Sequence, residues 1–176
     1  MHMNTILGLD ISTSKIGLCV LDDKQNLLYC HVIKFNPKDS LEDRCLVLEY
    51  YIQNTLNIQY DIGSIFVEQP FMMFSGGKTT AMTMSKLQRF NGMVCYMLRK
   101  LYGHDAQLIA ANKARGAIGL KVKRGENTKK KVIEWVKQRY PKDFIFELTR
   151  HGNPKPGTDD KADAVVVALA GTILSP

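Results

Sequence analysis

Four acidic residues occupy positions where a charge is costly. Asp10 closes the apolar run "TILGLD" and Glu68 closes "IGSIFVE", while Asp160 and Asp163 stand at the mouth of "ADAVVVALA". Acids in a first helical turn complement the positive end of the macrodipole, and Thr158, Asp159 or Asp160 suits an N-cap. Asp163 lies past the capping positions and one turn beyond Asp160, so the two project from the same helix face. Such a pair repels unless a cation sits between them. Carboxylate oxygens suit a divalent metal, but two aspartates do not fill its shell. Asp10 and Glu68, each placed by an apolar strand at a sheet end where ligands of α/β proteins bind, are the further ligands. Four carboxylates suit two divalent cations about 4 Å apart, one activating a water and one stabilising the leaving oxygen of an in-line phosphodiester displacement.

The elements that must bring these acids together are legible in the periodicity. "TILGLDIS", "KIGLCVLD" and "LLYCHVIKF" read as three strands with short links, an antiparallel meander. From Ser40, a candidate N-cap, Leu41, Cys45, Leu48, Ile52 and Leu56 follow helical spacing. "IGSIFVE" is a fourth strand, "FMMFSGGK" a loop, and Thr79 to Tyr102 a long helix. "AQLIA" is a fifth strand and "NKARGAIGL" a short helix. "TKKKVIEWVKQRY" is a helix with Val132, Ile133, Trp135 and Val136 inward, and "RHGNPKPGT" delivers the last helix. The order predicts one α/β domain over residues 1–176, a five-stranded mixed sheet with helices on both faces.

Composition narrows the function classes. With 176 residues and 45% hydrophobic content the chain can bury a core, which excludes a disordered tail. Neither a membrane-length apolar run nor a signal-peptide pattern is present, so a soluble cytoplasmic protein without a membrane partner is expected. Cys19, Cys30, Cys45 and Cys95 lack zinc spacing and read as reduced packing thiols. Residues 113–142 hold eleven Lys or Arg against Glu126 and Glu134, more than the chain's whole net charge of +7. An excess confined to one segment points to a polyanion partner.

At the acidic motifs the chain resembles a family. "ILGLDIS", "FVEQPFM" and "DDKADAVVVALA" are similar to the three acidic motifs of RuvC-type Holliday junction resolvases, in the ribonuclease H-like superfamily. Order and spacing are kept over about residues 5 to 173. The resemblance implies a ribonuclease H-like fold and Asp10, Glu68, Asp160 and Asp163 as ligands of Mg²⁺, with Mn²⁺ a substitute and no nucleotide cofactor. It also implies a homodimer acting on four-way branched DNA by paired symmetric nicks. It places Phe71 at the junction centre, a position that a loop aromatic tucked on the core explains equally well. It puts lysines near the scissile phosphate: Lys113, or Arg115 in its place, and one of Lys129, Lys130 and Lys131. Arg115, Lys121, Lys123, Arg124 and Lys131 become DNA contacts. The dimer interface falls on the long helix, where Met82, Met84, Leu87, Phe90, Val94 and Met97 form an apolar stripe that core packing also explains.

Other readings remain open at this stage. A ribonuclease H-like enzyme acting on RNA or an RNA/DNA hybrid uses the same carboxylates, and a catalytically silent branched-DNA-binding module uses the same basic segment. "DISTS" also resembles a phosphate-binding turn of actin-like kinases, but 176 residues leave no room for a second lobe. His104 and His151 are bases, phosphate contacts or plain surface residues. Met72, Met73, Met82 and Met84 suit adaptable packing, and Gly76-Gly77 suits a reshaping loop or a simple turn.

Overall fold

The computed structural model describes residues 4–70 and 81–175. Strands β1 (Asn4–Ile11), β2 (Lys15–Leu21) and β3 (Leu27–Lys34) form the expected antiparallel meander. Helix α1 (Leu41–Tyr51) starts at Ser40 through a capping box with Asp43, then runs through a π-helical turn (Ile52–Leu56) into the short α2 (Asn57–Gln59). Strand β4 (Asp61–Glu68) pairs parallel with β1, and β5 (Gln107–Ile109) pairs parallel with β4. Between them lies α3 (Ala81–Tyr102). Helices α4 (Ala111–Ala117), α5 (Thr128–Arg139) and α6 (Thr158–Leu174) complete the chain. The sheet order is β3-β2-β1-β4-β5.

Alternation along the strands divides the core in two. Leu7, Leu9, Ile11, Ile16, Leu18, Ile65 and Val67 face α1 and α3, whereas Cys19, Leu21 and Phe66 face α4, α5 and α6. Asp10 and Glu68 share the phase of Gly8 and Phe66, so both acids fall on the α6 side. Because β1 and β4 are parallel, both also fall at the same carboxyl edge.

Helix α6 is buried on nearly every side from Ala162 to Gly171, since α4 and α5 cover the face turned away from the sheet. It lies unusually close to the strands. A Cβ on Gly8 would clash with the Ala164 carbonyl oxygen, one on Gly17 with that of Asp160, and one on Gly171 with the Phe66 ring. Its N-cap is Gly157, in the left-handed region at φ 102°, and not Thr158, Asp159 or Asp160; Thr158 Oγ1 instead donates to the Lys155 carbonyl at 2.8 Å. The first-turn acids are therefore inside the helix.

The apolar stripe on α3 also resolves. Phe90, Val94 and Met97 are buried in this chain's own core, while Met82 and Tyr96 face outward. All four cysteines are free; Cys19 is buried under α6, its thiol 3.2 Å from the Ala164 carbonyl. Trp135 is half-buried against the α6 core. Among the described residues, no helix is long and apolar enough to cross a membrane.

The close seating of α6 makes opposite predictions for two glycines. Gly17→Ala drives a methyl into backbone and is expected to destabilise by about 2 kcal/mol or more. Gly92, inside α3 with open space around its Cβ position, should gain about 0.5–1 kcal/mol on change to Ala. Urea unfolding of both variants tests this, and equal effects would contradict the packing described.

Candidate metal centre and basic flank

The β1–β2 connection sets the first acid. Ser12 N–H and Oγ both donate to the Lys15 carbonyl, at 3.0 and 2.8 Å, making a tight turn right after Asp10. Arg44, a buried residue of α1, donates to the Thr13 carbonyl and to those of Asn36 and Pro37, at 3.2 and 3.1 Å for the latter two. This clamp holds the turn against the rest of the fold. The turn points Lys15 to the α6 side, where its Nζ lies 2.8 Å from Asp160 Oδ2.

The acids lie within electrostatic reach of one another. Burial, then the charges of Glu68, Asp163 and Asp160, pushes Asp10 well above the ordinary aspartate range. Burial and Asp163 raise Glu68 to about 7 against the pull of Arg115. Burial, with Asp159 and Asp160, raises Asp163 to about 6, again opposed by Arg115. Asp160 is raised by burial and Asp159, with the Lys15 ammonium working against that. Asp159 behaves differently: burial would raise it, but the Lys129 ammonium, 2.5 Å away, outweighs that and holds it at about 2.

Among the described residues, no three His, Cys, Asp or Glu side chains are gathered closely enough to grip a metal ion as they stand. The donor set nonetheless fits one. It is all oxygen, as hard divalent cations require, and its members raise one another's proton affinity as anions lacking a shared counter-charge do. Among the described residues, the ammonium in contact with Asp160 is the chain's own Lys15. Asp10, Glu68, Asp160 and Asp163 would hold the metal, and Lys15 would have to yield at Asp160.

The structure separates the basic candidates. Arg115, not Lys113, acts on Glu68 and Asp163, and Lys113 is exposed. Of the α5 lysines, Lys129 reaches the acids. Lys130 approaches Glu134 at 3.9 Å, and Lys131 pairs with Glu126 at 3.1 Å. Lys121, Lys123 and Arg124 are exposed on the link between α4 and α5, where Lys123 and Arg124 line a groove shared with Arg115. His104 precedes β5, at the opposite edge of the sheet, and His151 is exposed with its Nε2 3.0 Å from Arg150 Nε. Phe71, Met72, Met73 and Gly76-Gly77 lie outside the described residues. Lys15 and Arg44 are the residues that the motifs did not include, and Asp159, expected as a possible cap, is instead the partner of Lys129. Only Lys15 carried a signal, as a charge in phase with Gly17.

The structure superposes on Thermus thermophilus RuvC in complex with a Holliday junction substrate with a TM-score of 0.69 at 17% identity, over 98% of this chain and 94% of that chain. A second T. thermophilus RuvC structure gives 0.62 at 18% identity, over 97% and 95%. No protein-family model and no curated protein sequence matches the chain. At these identities the likeness is one of fold: a RuvC-type, ribonuclease H-like α/β fold over nearly the whole chain.

The raised acids set a pH dependence. The folded protein keeps protons on Glu68 between 4.5 and about 7, and on Asp163 between 3.8 and about 6, where the unfolded chain has released them. Metal-free stability should therefore fall by roughly a few kcal/mol as pH rises through that window, and Asp10 and Asp160, also raised, add to the fall. Asp159, held low, contributes stability that fades only below its ordinary 3.8 and so lies outside the window. Urea unfolding in EDTA at pH 5 and pH 8 measures the difference; equal stability would contradict the coupling.

Proposed function

We propose that this chain is a metal-dependent endonuclease that resolves four-way DNA junctions by paired, symmetric nicks, the 176 residues working as one nuclease domain. The observation that carries the reading is the meeting of Asp10, Glu68, Asp160 and Asp163 at one sheet edge, close enough to raise one another's pKa. The RuvC of matching fold is bound to a Holliday junction, which supports branched DNA as the substrate class. Mg²⁺, or Mn²⁺ in its place, would supply Lewis-acid charge and a more acidic water for in-line attack.

The chain's own residues do the rest. Asp10 and Glu68 are rigidly placed by neighbouring strands, so the oxygens that define the site move little. Lys15 balances Asp160 until a stronger cation competes for it. Arg115 and Lys129 flank the acids from α4 and α5 and can neutralise charge that builds on the scissile phosphate. Lys121, Lys123 and Arg124 extend the positive surface along a DNA backbone. A substrate of branched DNA goes with the cytoplasm as the proposed location.

Paired nicks need two copies. The outward faces of α1 and α3 carry Leu46, Tyr50, Met82 and Tyr96, each at least 61% exposed, beside a groove lined by Met93 and Tyr96. Aromatic and Met side chains of this kind form the cores of interfaces. We assign the homodimer contact to this face rather than to Phe90, Val94 and Met97. The wild type should run at twice the monomer mass in light scattering, and Leu46→Glu with Tyr96→Glu should run as a monomer; a dimeric variant would move the interface elsewhere.

The central test compares cutting of a labelled mobile four-way junction, a linear duplex and an RNA/DNA hybrid, with Mg²⁺ and with EDTA. Junction-only, metal-dependent nicks are expected, with Asp10→Asn and Asp163→Asn each slowed roughly a thousandfold. Lys129→Ala should slow cutting roughly a hundredfold, and clearly more than Lys130→Ala or Lys131→Ala. Cutting of the hybrid instead would move the function to RNA processing. Tight junction binding without cutting would leave a silent binding module.

A further inference from the structure

A groove of about 710 Å³ separates α5 from the segment 144–157 and opens beside Lys129 and Asp159. Its far wall is a built one. The Thr149 N–H donates to the Asn153 carbonyl at 2.7 Å and the Lys155 N–H to the Glu147 carbonyl at 2.9 Å, closing a tight hairpin. Lys137 Nζ donates to the carbonyls of Pro141 and Phe144, at 2.7 and 3.1 Å, and Lys161 Nζ to that of Ile145 at 2.8 Å, fastening the segment to α5 and α6.

The lining combines two chemistries. Ile133, Phe146 and Leu148 are apolar, and Leu148 is 54% exposed although it belongs to no helix or sheet face that needs it. Lys130 and Lys155 bring positive charge from exposed ion pairs with Glu134 and Glu147 that an arriving anion can replace at little cost, and Lys129 stands on Asp159 at the groove's mouth. Gln138 and Asn153 add side-chain amides. An aromatic and apolar surface beside lysines and amides matches an unpaired nucleotide: base on the apolar wall, phosphate on the lysines, amides at the base edge.

We infer that this groove holds unpaired DNA, the nucleotide next to the scissile phosphate on the strand being cut. The inference rests on the nuclease reading for the strand's identity, since Lys129 and Asp159 are shared between the groove and the carboxylate site. The base leans on Phe146 and Leu148, and Lys130 and Lys155 take its phosphates. Segment 144–157 is then a specificity wall, which contacts a base at the point where the strand leaves the metal centre.

Binding of a short single-stranded DNA carrying 2-aminopurine, followed by its fluorescence in EDTA, reads the groove without any cutting. Wild type is expected to bind and change the probe's emission, and Leu148→Ser with Lys155→Glu, both exposed positions, to bind roughly tenfold or more weakly at an unchanged melting temperature. Probe binding with equal affinity in the variant, or no binding to wild type, overturns the groove even if the junction is cut normally. Loss of probe binding in the variant supports it, and a wild type that binds the probe yet cuts no junction would overturn the resolvase reading alone.

Discussion

At Gly17 the carbonyl oxygen of Asp160 occupies space that any side chain would need, and at Gly8 the same is true of the Ala164 carbonyl. Helix α6 thus rests directly on the backbone of β1 and β2 at these two glycines, with Cys19 and Leu21 packed beside them. That contact carries Asp160 and Asp163 to the sheet edge where Asp10 and Glu68 already stand. A helix held off by ordinary side-chain packing would leave the two pairs of acids too far apart to sense each other. Burial is the largest cause of the raised pKa values of Asp10 and Glu68, and the added push of Asp163 and Asp160 on both is the trace of how near the two pairs come.

Such an approach concentrates negative charge in a buried place, and the surrounding elements answer it with positive charge. Lys15 comes from β2, Arg115 from α4 and Lys129 from α5, so each layer around α6 contributes one cation. Arg44 acts earlier in the chain of support, holding the β1–β2 turn that aims both Asp10 and Lys15. The result is a site that is balanced yet open. Ammonium groups stand on Asp159 and Asp160, while Asp10, Glu68 and Asp163 remain raised beside them.

The basic segment takes on meaning in the same frame. Its lysines divide by position: Lys129 serves the acids, Lys131 is tied to Glu126, and Lys130 turns toward the groove that α5 shares with the 144–157 wall. One helix thus borders both the acids and the groove proposed for an unpaired strand. Asn127, as N-cap, accepts from the Lys130 N–H at 3.1 Å and fixes where this first turn begins.

Local pattern was enough to determine much of this protein. Alternation along β1, β2 and β4 and the acids closing β1 and β4 were readable because a strand's period of two leaves an unmistakable trace, and the spacing of Asp160 and Asp163 follows from the helical turn. Ser40 was readable as a cap because the helical spacing begins right after it, and the structure adds its capping-box partner Asp43. Only the tertiary structure decided the rest. Gly157 displaced three plausible caps because a left-handed backbone is invisible in a string of polar residues. Phe90, Val94 and Met97 proved to be core because a stripe does not say which surface it meets. The places of Lys15 and Arg44 and the nearness of Arg115 to Glu68 and Asp163 depend on contacts between distant segments, and an ion pair across 145 residues leaves no periodicity for a sequence to display.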